Sequence, residues 1–184
     1  MVTAGNGNIQ VSSNSCTSWT QTTIISSTAK GIVVSDGGVI YVIGNDLNQP
    51  YKSPDFGSSW SAIGLSYLTT GYSYVSICCS TDGNTVFSAD TGGNIYKSIN
   101  AGGSFSTTTG FYGQTKLCCS YSASNVIVAM PVGALQYSTD TGTTWPSSNT
   151  STLKVAGISG DGTFAIASNP SSYAIYTSSY SPAT

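Results

Sequence analysis

The chain of 184 residues is long enough for one domain with a buried core, yet only 7% of its residues are charged, against about 25% in an average domain. It contains no His, Arg or Glu, which excludes histidine acid–base chemistry, histidine metal sites and arginine clamps on carboxylates or phosphates. A net charge of −2 with five scattered lysines provides no basic patch, so no nucleic-acid partner is expected, and no apolar run is long enough to span a membrane.

The predicted elements begin close to the N-terminus. Residues 1–10 lack the basic and apolar regions of a signal peptide, and a signal removed before this numbering begins stays an open alternative. A strand over residues 8–12 and another over residues 17–23 are predicted to be the third and fourth strands of an incomplete four-stranded unit. No segment has a helical period, so we expect an ordered all-β protein.

A unit of four short strands then recurs along the chain. The clearest unit has strands over residues 74–80, 85–89 and 94–98 and a fourth strand from Phe105, with an Asp-Gly hairpin signal between the first two. Units begin at Gly31, Tyr74, Lys116 and Lys154. The last unit has three strands, ending with residues 173–178, and the whole chain is predicted to be a single domain over residues 1–184.

An eight-residue motif accompanies these units and occurs four times, starting at residues 12, 53, 98 and 138. Its pattern is Ser-x-Asp/Asn-x-Gly-x-x-Trp/Phe, and Cys16 replaces the glycine in the first copy. The motif positions are Ser12, Asn14 and Trp19; Ser53, Asp55, Gly57 and Trp60; Ser98, Asn100, Gly102 and Phe105; and Ser138, Asp140, Gly142 and Trp145. Repeats at this spacing are typical of propeller blades.

The motif resembles the Asp box, also called the BNR repeat, of sialidase-like β-propellers, and the resemblance covers nearly the whole chain. It implies a propeller of four-stranded antiparallel blades with about four blade-equivalents. The box lies at the edge of such propellers, away from the active site, so the motif residues are expected to be structural. The Asp or Asn side chain can accept backbone N–H groups of its turn, and glycine supplies a positive φ.

Propellers of this kind commonly close when one terminus completes the blade that the other begins. The strand over residues 17–23 is therefore expected to complete the C-terminal blade, within the chain rather than with another copy. When the predicted strands are assigned to their places in the four-stranded unit, the chain has one more third strand than it has first, second or fourth strands. Three alternatives stay open: this strand is displaced, the chain pairs with another copy, or the sequence belongs to a longer ring.

Catalytic chemistry has little support in the sequence. Sialidases use an arginine triad and a Tyr–Glu pair, and none of the Arg or Glu residues is available here. A glycosidase needs two facing carboxylates, but among the seven aspartates only Asp46 and Asp90 are predicted to lie outside motifs and hairpin turns. We expect no enzyme, no cofactor and no metal site.

The five cysteines, an odd number without metal-ligand spacing, predict no disulfide framework. Cys78-Cys79 and Cys118-Cys119 fall on innermost strands. Because adjacent strand residues point to opposite faces, each pair is expected to pack one Cys into each flanking interface. Cys16 lies in a turn, where it could be a reactive or cross-linking thiol.

Aromatic residues in the connecting loops are the best candidates for binding. Together with the two loop aspartates they are expected to share one face, where exposed rings could stack on a sugar or a partner surface. The candidate binding residues are Tyr67, Tyr72, Tyr74, Phe111, Tyr112, Asp46 and Asp90. Rings that only cover blade edges are the structural alternative.

The sequence thus favours a non-enzymatic propeller that acts as a structural or protein-interaction module, extracellular or on a particle or virion surface. A surface with few charges has little repulsion between copies, which suits self-association. A glycan-binding, lectin-like propeller is the second hypothesis, and a glycoside hydrolase is the third.

Overall fold

The computed structural model describes residues 2–5, 8–22, 29–44, 50–65, 72–111, 116–124, 126–129, 135–148, 155–169 and 174–179. Within these ranges the regular structure is entirely β and forms five antiparallel sheets that follow one another in chain order. None of the described residues belongs to a helix long and apolar enough to cross a membrane.

Three of the sheets are complete blades of four strands, in which each strand pairs with its neighbours in sequence. Blade 1 contains β4 (Ala29–Val34), β5 (Ile40–Gly44), β6 (Tyr51–Ser53) and β7 (Ser61–Ala62). Blade 2 contains β8 (Tyr74–Cys79), β9 (Val86–Asp90), β10 (Asn94–Ser98) and β11 (Ser106–Gly110). Blade 3 contains β12 (Lys116–Cys119), β13 (Val126–Ala129), β14 (Leu135–Ser138) and β15 (Ser147–Ser148).

The two flanking sheets have three strands each. The N-terminal sheet contains β1 (Val2–Gly5), β2 (Asn8–Val11) and β3 (Thr20–Thr22). The C-terminal sheet contains β16 (Val155–Ile158), β17 (Phe164–Asn169) and β18 (Ala174–Ser179). By their order, the N-terminal sheet has no counterpart of a first strand and the C-terminal sheet has no counterpart of a fourth strand among the described residues.

In blades 1 and 2 the second strand is buried on both faces, and its successive side chains point to opposite sides of the sheet. In β5, Ile40 and Val42 pack with Ile9 of the N-terminal sheet. The alternate residues, Tyr41 and Ile43, pack against the first strand of blade 2. Blade 1 is therefore joined to the N-terminal sheet and to blade 2 by two separate hydrophobic cores, one on each of its sides.

The same alternation builds the interface between blades 2 and 3. Phe87 and Ala89 of β9 and Ile95 of β10 pack with Leu117 and Val126 of blade 3. A single sheet cannot bury the apolar side chains on its own faces. The aliphatic and aromatic residues at every second position are buried only because neighbouring blades pack against each other.

Each eight-residue motif forms a tight turn between the third and fourth strands. The residue at the glycine position has a positive φ in all four copies: 69° at Cys16, 88° at Gly57, 82° at Gly102 and 73° at Gly142. At Gly57 a Cβ would also lie 2.6 Å from the Val11 side chain. The predicted positive φ is confirmed, and the residue that precedes it is left-handed as well in every copy.

The all-β fold with four-stranded antiparallel blades is confirmed, and the strand bounds predicted for blade 2 agree within two residues. The structure adds β1, a strand of four residues that the sequence analysis missed although the hairpin dipeptide Asn6-Gly7 follows it in the sequence. This strand explains the surplus third strand, since β2 belongs to a separate N-terminal sheet.

The predicted closure of the C-terminal blade by residues 17–23 is wrong in detail. The strand found there, Thr20–Thr22, pairs with β2, in the register Ile9↔Thr22. Within the described residues β18 pairs with β17 alone. The reason is local: β2 is buried against blade 1, and the motif turn after β2 returns the chain directly onto its edge.

Candidate functional site

Three segments converge at the end of blade 2 that carries the loop between β9 and β10. The Thr91 N–H donates to the Ser73 carbonyl at 2.8 Å, and the Ser73 N–H donates to Thr91 Oγ1 at 3.0 Å. The Phe111 N–H donates to the Gly93 carbonyl at 2.6 Å. These bonds hold the entry to β8, the β9–β10 loop and the exit of β11 together.

This end of blade 2, which we call the loop face, contains four of the seven predicted binding residues: Tyr72, Tyr74, Asp90 and Phe111. Tyr67, Tyr112 and Asp46 lie outside the described residues. In blade 2 the two connecting segments and the β9–β10 loop therefore lie at one end of the sheet.

Tyr72 is the residue that presents a ring to solvent, with 44% of its surface exposed. Its ring lies over Gly92, where a Cβ would lie 2.9 Å from the ring carbons. Any side chain at position 92 would therefore displace the ring. Gly92 supports one side of the tyrosine while the rest stays open to solvent, an arrangement that suits stacking.

Asp90 is not the free loop carboxylate that the sequence suggested. It is the last residue of β9 and is fully buried. Its carboxylate accepts hydrogen bonds from the Asn94 backbone N–H at 2.9 Å, from Asn94 Nδ2 at 2.9 Å and from the Tyr96 hydroxyl at 2.7 Å. These donors stabilise a charge that burial would otherwise penalise, so Asp90 holds the loop in shape.

Tyr74 was expected to be exposed and is fully buried, with its ring edge-on to Tyr96 at a centroid distance of 6.2 Å. Burial, with a smaller contribution from the charge of Asp90, raises the pKa of Tyr74 well above its ordinary value. Among the described residues its hydroxyl has no hydrogen-bond partner. A buried hydroxyl with unused donor capacity is rare in proteins.

Phe111 also differs from the expectation of an exposed loop ring. It is half-buried and packs edge-on against Trp145 of blade 3, with centroids 5.7 Å apart. It covers the hydrophobic core between blades 2 and 3. Phe111 therefore covers the edge of the interface between two blades, which is the structural alternative to a binding role.

Sequence reasoning missed Gly92, Asn94 and Tyr96, which shape the loop face from below. The register pairs Tyr96 with Ser88 and Tyr74 with Asp90, so the three side chains Tyr74, Asp90 and Tyr96 belong to one face of the sheet. Strand alternation within β9 and β10 could have grouped them, once the pairing of the two strands was known.

The other carboxylates of the described residues form part of turns. Hydrogen bonds from the hydroxyl and backbone N–H of the residue four positions later lower the pKa of Asp55 and of Asp140. The pKa of Asp82 and that of Asp161 are lowered chiefly by the hydroxyls of Ser80 and Ser159, respectively. A glycosidase acid needs a raised pKa. These four residues therefore lack the property that proton donation requires.

The adjacent cysteines of β8 point to opposite interfaces, as predicted: Cys78 packs into the core between blades 2 and 3, and Cys79 into the core between blades 1 and 2. The Cys119 thiol donates to the Cys79 carbonyl at 3.3 Å. Burial raises the pKa of Cys79 and of Cys118 to about 12, which keeps both thiols protonated.

No group of metal-binding side chains occurs in the described part of the chain.

No protein-family model and no curated protein matches the chain. Its fold is similar to that of the GH74 enzyme of Niastella koreensis, with a TM-score of 0.65 and 18% identity over 97% of this chain and 28% of that one. An ancestral GH74 enzyme gives a TM-score of 0.71 and 17% identity over 90% of this chain and 25% of that one. YCF48 bound to D1 peptide gives a TM-score of 0.60 and 16% identity over 83% of this chain and 55% of that one.

These similarities, together with the five antiparallel sheets, show that the chain has a β-propeller fold. The chain spans between a quarter and somewhat over half of the length of these structures. At such identities the likeness extends to the fold alone, and the Asp-box resemblance of the repeated motif stays a prediction.

Proposed function

We propose that the chain is a non-enzymatic propeller module that binds a protein partner through the loop face of blade 2. The observation that carries this proposal is the Tyr72 ring, which is exposed and supported from below by Gly92. A tyrosine held in this way offers a large contact area at low cost in conformational entropy. The peptide bound to YCF48 supports the idea that a propeller of this shape can serve as a peptide-binding surface.

The buried polar groups behind Tyr72 support the same proposal. Asp90, Asn94 and Tyr96 hold the loop rigidly, and a preorganised loop loses less entropy on binding. The described part of the rim next to the ring is polar and uncharged, with Ser73 and Thr91. A partner of mixed apolar and polar chemistry therefore suits this face better than a charged one.

Glycan binding is the second candidate, because a flat tyrosine ring beside hydroxyl and amide groups can also stack on a sugar. A glycoside hydrolase is the third. The GH74 neighbours make it worth testing, whereas the lowered pKa of Asp55, Asp82, Asp140 and Asp161 counts against it.

We also propose an extracellular or particle-surface location, for which the low charge of the chain is the support.

A peptide-display library selected on the purified chain tests the proposal. Peptides enriched on the wild-type protein are expected to lose binding to Tyr72→Ala by about tenfold or more, as for other aromatic anchors. Tyr121→Ala is the matched control, because Tyr121 is an exposed tyrosine in the β12–β13 turn, at the opposite end of the blades.

Equal enrichment on wild type and Tyr72→Ala would contradict the choice of this face. A glycan array that binds the wild type through Tyr72, without any peptide enrichment, would replace the protein partner with a sugar. Release of reducing sugar from a panel of polysaccharides would instead establish the hydrolase.

A further inference from the structure

The C-terminal sheet exposes a face whose counterpart is buried in blades 1 and 2. The residue pairs Val34↔Ile40, Cys79↔Val86 and Ile158↔Ala165 occupy the same place in blade 1, blade 2 and the C-terminal sheet. The residue that follows in the second strand is Tyr41, Phe87 and Ile166, respectively. These three side chains are therefore equivalent in the repeat.

Tyr41 and Phe87 are completely buried because the next blade covers them. The Tyr41 hydroxyl donates to the Gly83 carbonyl of blade 2 at 2.7 Å, and Phe87 packs with Leu117 of blade 3. Ile166 has 44% of its surface exposed. At this position the C-terminal sheet has an apolar side chain like those that join blades 1, 2 and 3, but no sheet of the described residues covers it.

The third strand repeats this contrast. Ile95 pairs with Ala89 and is completely buried, while its equivalent, Ile175, pairs with Ser168 and is 69% exposed. Phe164, two residues before Ile166 and on the same side of β17, is 46% exposed. We call Phe164, Ile166 and Ile175 the C-terminal face.

The amino-acid composition of the C-terminal face indicates what covers it. Strands β17 and β18 contain no charged residue, and the polar residues on the same side, Ser168, Thr177 and Ser179, are neutral. Two such faces can therefore approach each other without charge repulsion. Exposed apolar patches of this kind mark interaction sites. Most homo-oligomers are two-fold dimers in which one patch meets its own copy, and two sheets pack readily face to face.

The opposite end of the array does not match it. In the N-terminal sheet, Ile9 points toward blade 1, so the alternate residue Gln10 and its pairing partner Gln21 lie on the outward face. Gln21 Nε2 donates to Asn8 Oδ1 across that face at 3.1 Å. A head-to-tail contact would therefore bury isoleucine against amide groups, which is unfavourable compared with an apolar pairing.

We propose that the C-terminal face is a dimer interface, which packs in a two-fold arrangement against the C-terminal face of a second copy. This interface is separate from the loop face of blade 2, so each proposal can fail without the other. A dimer would also present two Tyr72 rings at once, which strengthens binding to a partner with two sites.

Sedimentation velocity of the full chain over a wide range of concentration tests the proposal. The wild type is expected to change from monomer to dimer as its concentration rises. Ile175→Asp is expected to weaken dimerisation by roughly 100-fold or more, because a charge is placed at an interface anchor on both copies. Ile99→Asp is the matched control, since Ile99 is also an exposed isoleucine but lies in the motif turn of blade 2, and it should dimerise normally.

Hydrogen exchange of the wild type gives a second readout that needs no substitution. Amides of β17 and β18 should exchange more slowly at high than at low concentration. A monomer at every concentration with unchanged exchange would overturn the proposal, as would growth into open filaments, which indicates head-to-tail contacts. Loss of the dimer in Ile99→Asp as well as in Ile175→Asp would also overturn it. Tyr72→Ala should leave the dimer intact.

Discussion

Serine hydroxyls that are shielded from solvent hold each motif turn together. Ser53 is completely buried; its Oγ accepts the Gly57 N–H at 2.7 Å, while its own proton goes to Asp55 Oδ1 at 2.9 Å. Asp55 in turn accepts the Ser59 N–H at 2.8 Å. The two residues with left-handed backbone turn these N–H groups away from the neighbouring strands. The serine and the aspartate supply the hydrogen-bond acceptors that the N–H groups would otherwise lack.

Ser53→Ala is expected to lower the free energy of unfolding by about 1–3 kcal/mol, because the Gly57 N–H then loses its acceptor in a place that solvent reaches poorly. Urea denaturation measures the change. Ser58→Ala, in the same turn but exposed, is the control and should behave like the wild type. Equal stability of both variants would contradict the structural role of the buried serine.

The carboxylates of these turns predict acid sensitivity. Hydrogen bonds from Thr144, and then from Ser138, hold the pKa of Asp140 well below its ordinary value of 3.8, and bonds from Ser159 and Thr163 lower that of Asp161 to about 2. A group with a lower pKa in the folded state stabilises the fold above its unfolded pKa and loses this effect as the pH falls through the folded one. Stability should therefore decrease as the pH falls from about 4 toward 2.

A pair of reciprocal variants checks this origin, with unfolding followed as a function of pH. Asp140→Asn should keep the stability of the wild type at pH 7, since Asn14 and Asn100 make the same contacts in their turns, and should lose less stability in acid. Asn100→Asp should lose more. Identical acid profiles for all three proteins would show that the turn carboxylates do not cause the effect.

At the scale of elements, hydrogen bonds connect each blade to the next. The Asp36 N–H donates to the Thr81 carbonyl, the Thr81 N–H to Tyr121 and the Tyr121 N–H to Gly160, so the hairpin turns after the first strands form a chain of contacts. These bonds lie at the ends of the blades, whereas the hydrophobic cores lie between the sheets. Neighbouring blades are therefore joined by directional as well as apolar contacts.

Two lysines add a further connection, from the third strand of one blade to the motif turn of the next. Lys97 Nζ donates to the Thr141 carbonyl at 2.8 Å, and Lys52 Nζ does the same to Ala101. Lys97→Met is expected to cost about 1–2 kcal/mol, because a charged and partly buried hydrogen bond is lost while most of the stem packing is kept. Lys116→Met, at an exposed position, is the control in the same denaturation experiment. A Lys97→Met variant as stable as wild type would mean that the contact contributes nothing.

At the scale of the whole molecule, the sheets form an array in which each one contacts its neighbours in sequence. Blade 2 is covered on both sides, by the cores that include Tyr41 and Leu117. The N-terminal sheet packs against blade 1, and the C-terminal sheet contacts β12 and β13 of blade 3. In arrays of this type, stability is close to a sum of repeat and interface contributions. Opening should therefore begin at the ends.

Hydrogen exchange of the monomer at low concentration is expected to show this gradient. Amides of β8, β9 and β10 should exchange most slowly, and those of β1–β3 and β16–β18 faster, since the end sheets can open without breaking a second interface. Exchange measured by mass spectrometry on peptide fragments resolves the sheets. Uniform protection across all five sheets would indicate a single cooperative unit instead of an array.

The amino-acid sequence by itself determined the all-β fold, the blade period and the places of the turns. These follow from local chemistry: the Ser-x-Asp/Asn-x-Gly spacing specifies a turn that closes within eight residues, and alternation places Cys78 and Cys79 in different cores. Such features depend on contacts between residues that are close in the chain, so a repeat of the motif repeats the structure.

Only the tertiary structure decided which side chains remain available for binding. Tyr72 and Tyr74 are two residues apart, yet Tyr72 lies over Gly92 in solvent while Tyr74 is buried beside Tyr96. Ile95 and Ile175 are equivalent in the repeat, and they differ in exposure because one has a neighbouring blade over it. Burial depends on which sheet covers a residue, and that contact joins residues that are distant in sequence.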